Sequence, residues 1–399
     1  MKVSHIAAVI ALTLSPTIFA ADMSDAKSMG MAGVGVAAGD FTRANLNPAL
    51  LTKFDVNDDV YIKLGVGAAA HDFQDTIDKV DDVQHQLDIF EGMVNVGAGG
   101  GVSPEDAQQQ ADLLIADLKG LDKEKINASV GVDLAVYMPS KTFAFGMAIT
   151  SQVWAKGDFR FADSDEQLLE NAYASGDFNQ TDIKSDGTAR GIAVTSIDFN
   201  FARQFDLPVI GEFAVGVTPK VQRLDTYAYT ATIANYDDSD YFEDQYRTDK
   251  TGFNFDLGLH KNLGMVELGL VARNLVKQEI VNIKGEKVTL EPTVVAGVAV
   301  TGMGMTAALD VDLIKDKSFV LDNDQFLQER QWARLGLEAD IFEQVQVRAG
   351  YKTDLANNYQ DYYSVGLGLS PFDLFSLDIA AEMSEHDDYG ANLQLGFKF

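Results

Sequence analysis

The chain has 399 residues, no cysteine and a formal net charge of −29, with 60 Asp and Glu against 31 Lys and Arg. The lack of cysteine excludes disulfides, thiol catalysis, cysteine metal sites and a lipid-modified N-terminal cysteine. The acidic balance argues against nucleic acid as a partner, because phosphate recognition needs a basic footprint.

No internal run reaches the ~18 apolar residues of a membrane helix. Yet 34 glycines, 24 Phe and 13 Tyr against 8 prolines fit strands and interfacial aromatics. Residues 1–20 have the layout of a secretory signal peptide. Lys2 supplies the charged start, Ile6–Leu14 the apolar run, Pro16 a break, and Ile18-Phe19-Ala20 a cleavage site before Ala21. The competing reading is a retained anchor, for which the apolar run is short.

Residues 21–57 follow as a glycine-rich segment with S-M-G-M-A-G-V-G-V-A-A-G-D at 28–40 and N-L-N-P-A-L-L at 45–51. Glycine supplies permissive backbone and Asn47-Pro48 a turn. A dinucleotide fingerprint is disfavoured because no strand–turn–helix unit surrounds these glycines. The G-M-A-G-V-G-V-A and N-P-A elements resemble the mature N-terminus of FadL-type (long-chain fatty acid transporter-like) outer-membrane barrels, and most of all the plasmid-transfer TraF-like barrel family. The resemblance implies an N-terminal hatch folded into a barrel lumen, with Gly30, Gly33, Gly35, Asn47, Pro48 and Ala49 as hatch residues.

From residue 58 to 399 the chain reads as an all-β transmembrane antiparallel barrel. Val60, Ile62, Leu64, Val66 and Ala68 share one face, and Tyr61, Lys63, Gly65 and Gly67 the other, as alternate side chains of a strand must. Fourteen such segments recur. Short turns alternate with longer loops at 71–125, 155–187, 231–249, 275–290, 315–330, 354–361 and 385–388, the connection pattern of outer-membrane barrels. An even count places both termini in the periplasm. A soluble sandwich, the alternative for repeated amphipathic strands, has no reason to alternate its loop lengths. Trp154 and Trp332 fall at loop-side strand ends, where an aromatic girdle is expected.

The insertion at 71–125 is helical. Phe73, Ile77, Val80, Val83, Leu87, Phe90 and Met93 form one apolar stripe, and Ala107, Ala111, Leu114, Leu118 and Leu121 a second. Ser103-Pro104-Glu105-Asp106 starts the second helix. Two stripes joined at Gly97–Gly101 predict an outer cap of helices packed on each other, with a ligand-gathering lid or docking surface as the alternative.

On the wet face of the strands, charges of both signs recur: Lys63, Asp198, Asp256, Arg273, Asp310, Arg334, Glu338 and Arg348 among them. Behind a hydrocarbon band they must be solvated or paired, which predicts a network tying hatch to wall; an ion-selective path is the alternative. The outer loops are acidic, notably 158–186 and 236–244, without EF-hand spacing. They suit solvation or divalent-bridged lipopolysaccharide. Five scattered histidines and no H-E-x-x-H or G-x-S-x-G pattern point to no enzyme, no metal site and no cofactor.

The last residues, from Ala391, alternate Leu393, Leu395, Phe397 and Phe399 with Asn392, Gln394 and Lys398. This resembles a barrel's closing strand, implying that Phe397 and Phe399 are read by the barrel assembly machinery. The expected surroundings are outer-membrane lipid and lipopolysaccharide. Two functions fit: a hatch-gated passive channel for small hydrophobic or amphiphilic molecules, or an envelope component of conjugal transfer that docks a partner without transport. Absence of cysteine removes any redox role.

Overall fold

The computed structural model describes residues 25–399 except 72, 97–100, 123–124, 210, 236–243, 322–326, 343 and 386–387. The signal segment, most of the glycine break at 97–101, the acidic run at 236–244 apart from Asp244, His5 and His386 therefore lie outside the described residues.

After a short helix, α1 (Ala26–Met29), the chain enters β1 (Tyr61–His71). The strands that follow are β2 (Lys125–Met138), β3 (Ala144–Arg160), β4 (Asp186–Leu207), β5 (Gly211–Thr232), β6 (Arg247–Asn262), β7 (Val266–Arg273), β8 (Gln278–Val281), β9 (Lys287–Leu290) and β10 (Thr293–Gly302). The series ends with β11 (Met305–Asp312), β12 (Trp332–Ile341), β13 (Val345–Asp354), β14 (Tyr362–Leu369), β15 (Phe375–Ser384) and β16 (Asp388–Lys398). Fourteen of them close into one barrel, with β7 bonded directly to β10. The remaining pair, β8 and β9, forms a separate hairpin. All barrel pairings are antiparallel. The seam closes between β1 and β16 in unbroken register from Tyr61↔Lys398 to His71↔Asp388.

Period-2 patterning explains the barrel. Outward-facing Leu64, Leu134, Leu337 and Leu367 are 47–50% exposed. On the same or adjoining strands, inward-facing Lys63, Asp133 and Asp378 are fully buried. Greasy outside and charged inside is the reverse of a water-soluble protein, and it matches a wall solvated by lipid. The interfacial aromatics are mainly phenylalanines. Phe201 packs on Phe143 and Phe145, Phe205 stacks on Phe213, and Phe375 meets Phe397 at 5.3 Å between centroids. Trp154 and Trp332 correct the expected girdle: both point inward and are buried, because their strand positions share the lumen parity of the charged residues. His260, near the β6–β7 turn, is likewise buried, with Nε2 3.1 Å from Glu267.

The wall is uneven. A spanning strand needs about 9–11 residues, and β11 and β14 have 8 each, whereas β4 and β5 run 22. The long strands rise beyond the bilayer and carry a helical cap: α2 (Phe73–Val96), α3 (Pro104–Leu121) and α4 (Asp163–Ser175). Ser103 caps α3 through the Asp106 N–H, with Pro104 at the first position. Val80, Val83, Leu87, Phe90 and Val94 of α2 pack on Ala111, Leu114, Leu118 and Leu121 of α3. Val94, not Met93, ends the first stripe. Leu169 and Ala172 of α4 complete the same core, a third helix that the loop 155–187 did not announce.

Phe399 prolongs the seam past the last paired strand residue. Its carbonyl accepts from Asp59 N–H at 2.7 Å and Val60 N–H at 3.0 Å, and its N–H donates to Val60 O at 2.9 Å. At ~1 kcal/mol net each, deleting Phe399 should cost about 2–4 kcal/mol. The expected readout is a lower temperature of conversion from the folded to the unfolded band on a heat-modifiability gel.

Candidate functional site: the plugged lumen and its cavity

Residues 25–52 fill the lumen. Phe41, Leu46, Leu50 and Leu51 are buried, although this stretch has no sheet or long helix of its own. Three short turns shape it, each with an acceptor at its start. Asp25 caps α1 through Ser28 N–H at 2.8 Å, Asp40 takes Thr42 N–H, and Asn47 takes Ala49 N–H ahead of Pro48. After α1 the chain reverses at Ala32 and Gly33, both at positive φ, which glycine accepts at little cost. Asn47 also ties the segment together: its Nδ2 donates to Val36 O at 2.8 Å and to Leu259 O of β6 at 3.0 Å.

The segment can lie this close because the wall facing it lacks side chains. Gly216 pairs with Gly258, Gly269 with Gly297, and Gly336 with Gly350 across neighbouring strands. A Cβ at Gly216 would sit 2.4 Å from Ala49 N, at Gly269 2.1 Å from Val36 O, and at Gly350 2.4 Å from Ala32 N. A Cβ at Gly366 would come within 2.9 Å of Gly30 Cα. These wet-face glycines were visible as gaps in the alternation, but nothing in the sequence told them apart from ordinary strand glycines.

Charged groups then fix the segment laterally. Buried Lys63 lies 3.3 Å from Asp25 and 2.6 Å from Asp133. Asp310 accepts from Gly35 N–H at 2.8 Å and Val36 N–H at 2.9 Å. Lys53 pairs with Glu267 at 2.6 Å, and Arg273 donates to Leu46 O at 2.6 Å. Ser364 Oγ receives Ala32 N–H at 2.8 Å. Arg348 joins Glu338 and Asp378 within the wall, Arg334 joins Asp312, and Asp256 pairs with Lys220. Asp198 lines the lumen nearby. Among the described residues, the lumen charges singled out above pair in several clusters, some within the wall and some between wall and plug. Burial alone would raise the Asp25 carboxyl; Lys63, Arg43 and the Ser28 N–H outweigh it and hold it at about 2.

Above the plug, on the long-loop side, lies a cavity of about 150 Å³. Its floor includes Asn45 and Arg273, and its sides Lys220, Asp256, Arg334 and Asp312. Its roof is apolar. Trp154 and Phe319 stand 4.9 Å apart between ring centroids, packed with Leu290 of the β8–β9 hairpin. Hairpin and roof were missed by sequence reasoning. The signal was short but present, since Ile280, Val288 and Leu290 alternate about a turn at Gly285 with positive φ.

Residues 44–312, more than half of the chain, match the family described as F plasmid transfer operon, TraF, protein. The chain belongs to that family. The barrel of this TraF-family member is also similar to solved structures. The toluene transporter TbuX of Ralstonia pickettii is 10% identical, with a TM-score of 0.56 covering 93% of this chain and 97% of the other. The CymD monoaromatic hydrocarbon channel is 13% identical, with a TM-score of 0.54 and coverage of 95% and 99%. A Pseudomonas aeruginosa FadL homologue is 12% identical, with a TM-score of 0.53 and coverage of 97% and 99%. At these identities the likeness is one of fold: a FadL-type closed barrel. Comparison with curated proteins found no match.

Two outcomes follow from the plug geometry. Gly350→Val should push residues 31–32 off the wall, so trypsin should cut at Arg43 and Lys53 in a barrel that still runs as folded; both sites should resist in the parent protein. Lys63→Met should strand two buried carboxylates, at a cost of about 3–5 kcal/mol in unfolding titrations. Because the folded Asp25 pKa lies below its ordinary 3.8, its charge stabilises docking above about pH 4 and the contribution fades as pH falls toward about 2. Trypsin-independent probes of plug release, such as pepsin cleavage, should show an onset in that window.

Proposed function

We propose that this TraF-family chain is an outer-membrane passive channel for small hydrophobic or amphiphilic molecules, with residues 25–52 acting as its hatch. The observation that carries the reading is the partly open cavity between that segment and the Trp154–Phe319 pair. It is concave, mixed apolar and polar, and lies inside the barrel against β3–β7 and β10–β12, and small-ligand sites are common in barrel mouths. Solved barrels of similar fold include a toluene transporter and a monoaromatic hydrocarbon channel, which supports a similar class of cargo here. The short turns and both termini then face the periplasm, and the helical cap faces outward among lipopolysaccharide.

In this reading the lumen charges serve as fasteners. Lys63, Glu267, Arg273, Asp310 and Ser364 on the wall grip plug backbone or plug side chains, so the plug can leave by exchanging these contacts for water without unfolding the barrel. Phe397 and Phe399 act separately, as the end of the closing strand presented to the assembly machinery. The family description itself favours a second reading, an envelope component of conjugal transfer. The three-helix cap standing on β3–β5 would be its docking surface.

Uptake of single-ring aromatics by cells with and without the protein tests the first reading. Uptake should rise several-fold with the protein, and equal uptake would contradict the channel. A normal uptake ratio with a mating defect on loss would favour the second reading instead.

A further inference from the structure

We infer that the cavity is built for a singly charged organic acid with a flat apolar body, an aromatic monocarboxylate, and that Arg273 receives its carboxylate. This rests on the channel reading and narrows its cargo. The starting observation is how the four cations and four carboxylates of the cavity wall pair. Lys220 is tied to Asp256 at 2.7 Å, Arg334 to Asp312 at 2.6 Å and Arg330 to Asp316 at 2.5 Å. Arg273, half-buried on the floor, has no carboxylate within 4 Å among the described residues; its hydrogen bond is the one to Leu46 O. A guanidinium carries five donors in a planar fork, so most of its hydrogen-bonding capacity is unspent.

A second group repeats the pattern. Arg330, 4% exposed and also on the cavity wall, uses Nη2 on Asp316 and has the Tyr359 hydroxyl beside it, while its Nε and Nη1 meet no acceptor in good hydrogen-bonding geometry. Buried donors without acceptors are costly, and cations in a lumen behind hydrocarbon are normally paired. A planar carboxylate matches the guanidinium fork in two parallel bonds.

The rest of the ligand follows from the roof and the volume. Trp154 and Phe319 offer aromatic faces, and a cavity of roughly 150 Å³ is the size that takes up a benzene ring in other proteins. Asp198, Asp256, Asp312 and Asp316 stand on the same walls, which disfavours a dianion such as phosphate. A neutral hydrocarbon would fill the roof but leave Arg273 facing an apolar surface. The chemistry therefore favours the acid over the hydrocarbon of the same shape.

The test uses the purified full-length protein in detergent, titrated by calorimetry with 4-methylbenzoate and with its neutral isostere 4-methylbenzamide. The acid should bind at least about tenfold tighter, equivalent to ~1.4 kcal/mol. Arg273→Gln should erase that preference while keeping amide binding, and Arg273→Lys should restore part of it. Trp154→Leu should weaken both ligands alike. Heat-modifiable migration confirms that each variant is folded. Equal affinity for acid and amide, undiminished acid binding in Arg273→Gln, or no binding of either overturns the inference. Toluene permeation into proteoliposomes separates the two readings. Permeation without acid preference overturns the inference and leaves the channel standing, whereas acid preference without any permeation supports the acid site and overturns the channel.

Discussion

The contact between plug backbone and bare barrel wall is the constraint on which the rest depends. A peptide with little secondary structure of its own can be buried only where its polar groups find partners and where nothing on the opposite surface collides. The wall meets both conditions. Paired glycines remove the side chains across β5–β6, β7–β10 and β12–β13, and Asp310, Arg273, Ser364 and the Leu259 carbonyl supply acceptors and donors at the points of approach. Without the glycines the clamps would not reach. Without the clamps, a segment of small residues would bury too little apolar surface to hold its place.

The barrel was legible in the sequence because its signal is a simple alternation repeated fourteen times, and because loop length alternates with it. The closing strand and the β1–β16 seam followed from the same period. Other features resisted for identifiable reasons. Trp154 and Trp332 lie on the loop-side halves of their strands, where residue type suggests a girdle, but parity within the strand decides facing, and parity put both inside. Helix α4 buries only Asp165, Leu169 and Ala172 in thirteen residues, too sparse a stripe to stand out in an acidic loop. The β8–β9 hairpin has four residues a side, below the length at which alternation is persuasive.

The candidate site divides in the same way. Lys63, Asp310, Arg273, Arg334 and Arg348 were identifiable as inward charges, since each occupies the wet face of a readable strand. Their partners were not. That Lys63 joins Asp25 of the plug to Asp133 of the wall, or that Arg273 reaches a backbone carbonyl, depends on how the N-terminal segment coils, and no periodicity encodes that. The roof of the cavity is hardest of all to foresee, because Phe319 comes from the β11–β12 loop and Leu290 from a four-residue strand, and no periodicity says that either folds back over the mouth.

The central claim is that residues 25–52 close the lumen and must move for cargo to pass. The chain has no cysteine, so one introduced pair can test this cleanly. Ala32→Cys with Ser364→Cys puts the thiols on two residues already in contact, since Ala32 N–H meets Ser364 Oγ at 2.8 Å, and their disulfide would join plug to β14. The account predicts that oxidation of the pair abolishes uptake of single-ring aromatics and that reduction restores it, while each single variant is indifferent to redox state. Unchanged uptake by a fully oxidised, folded barrel would contradict it.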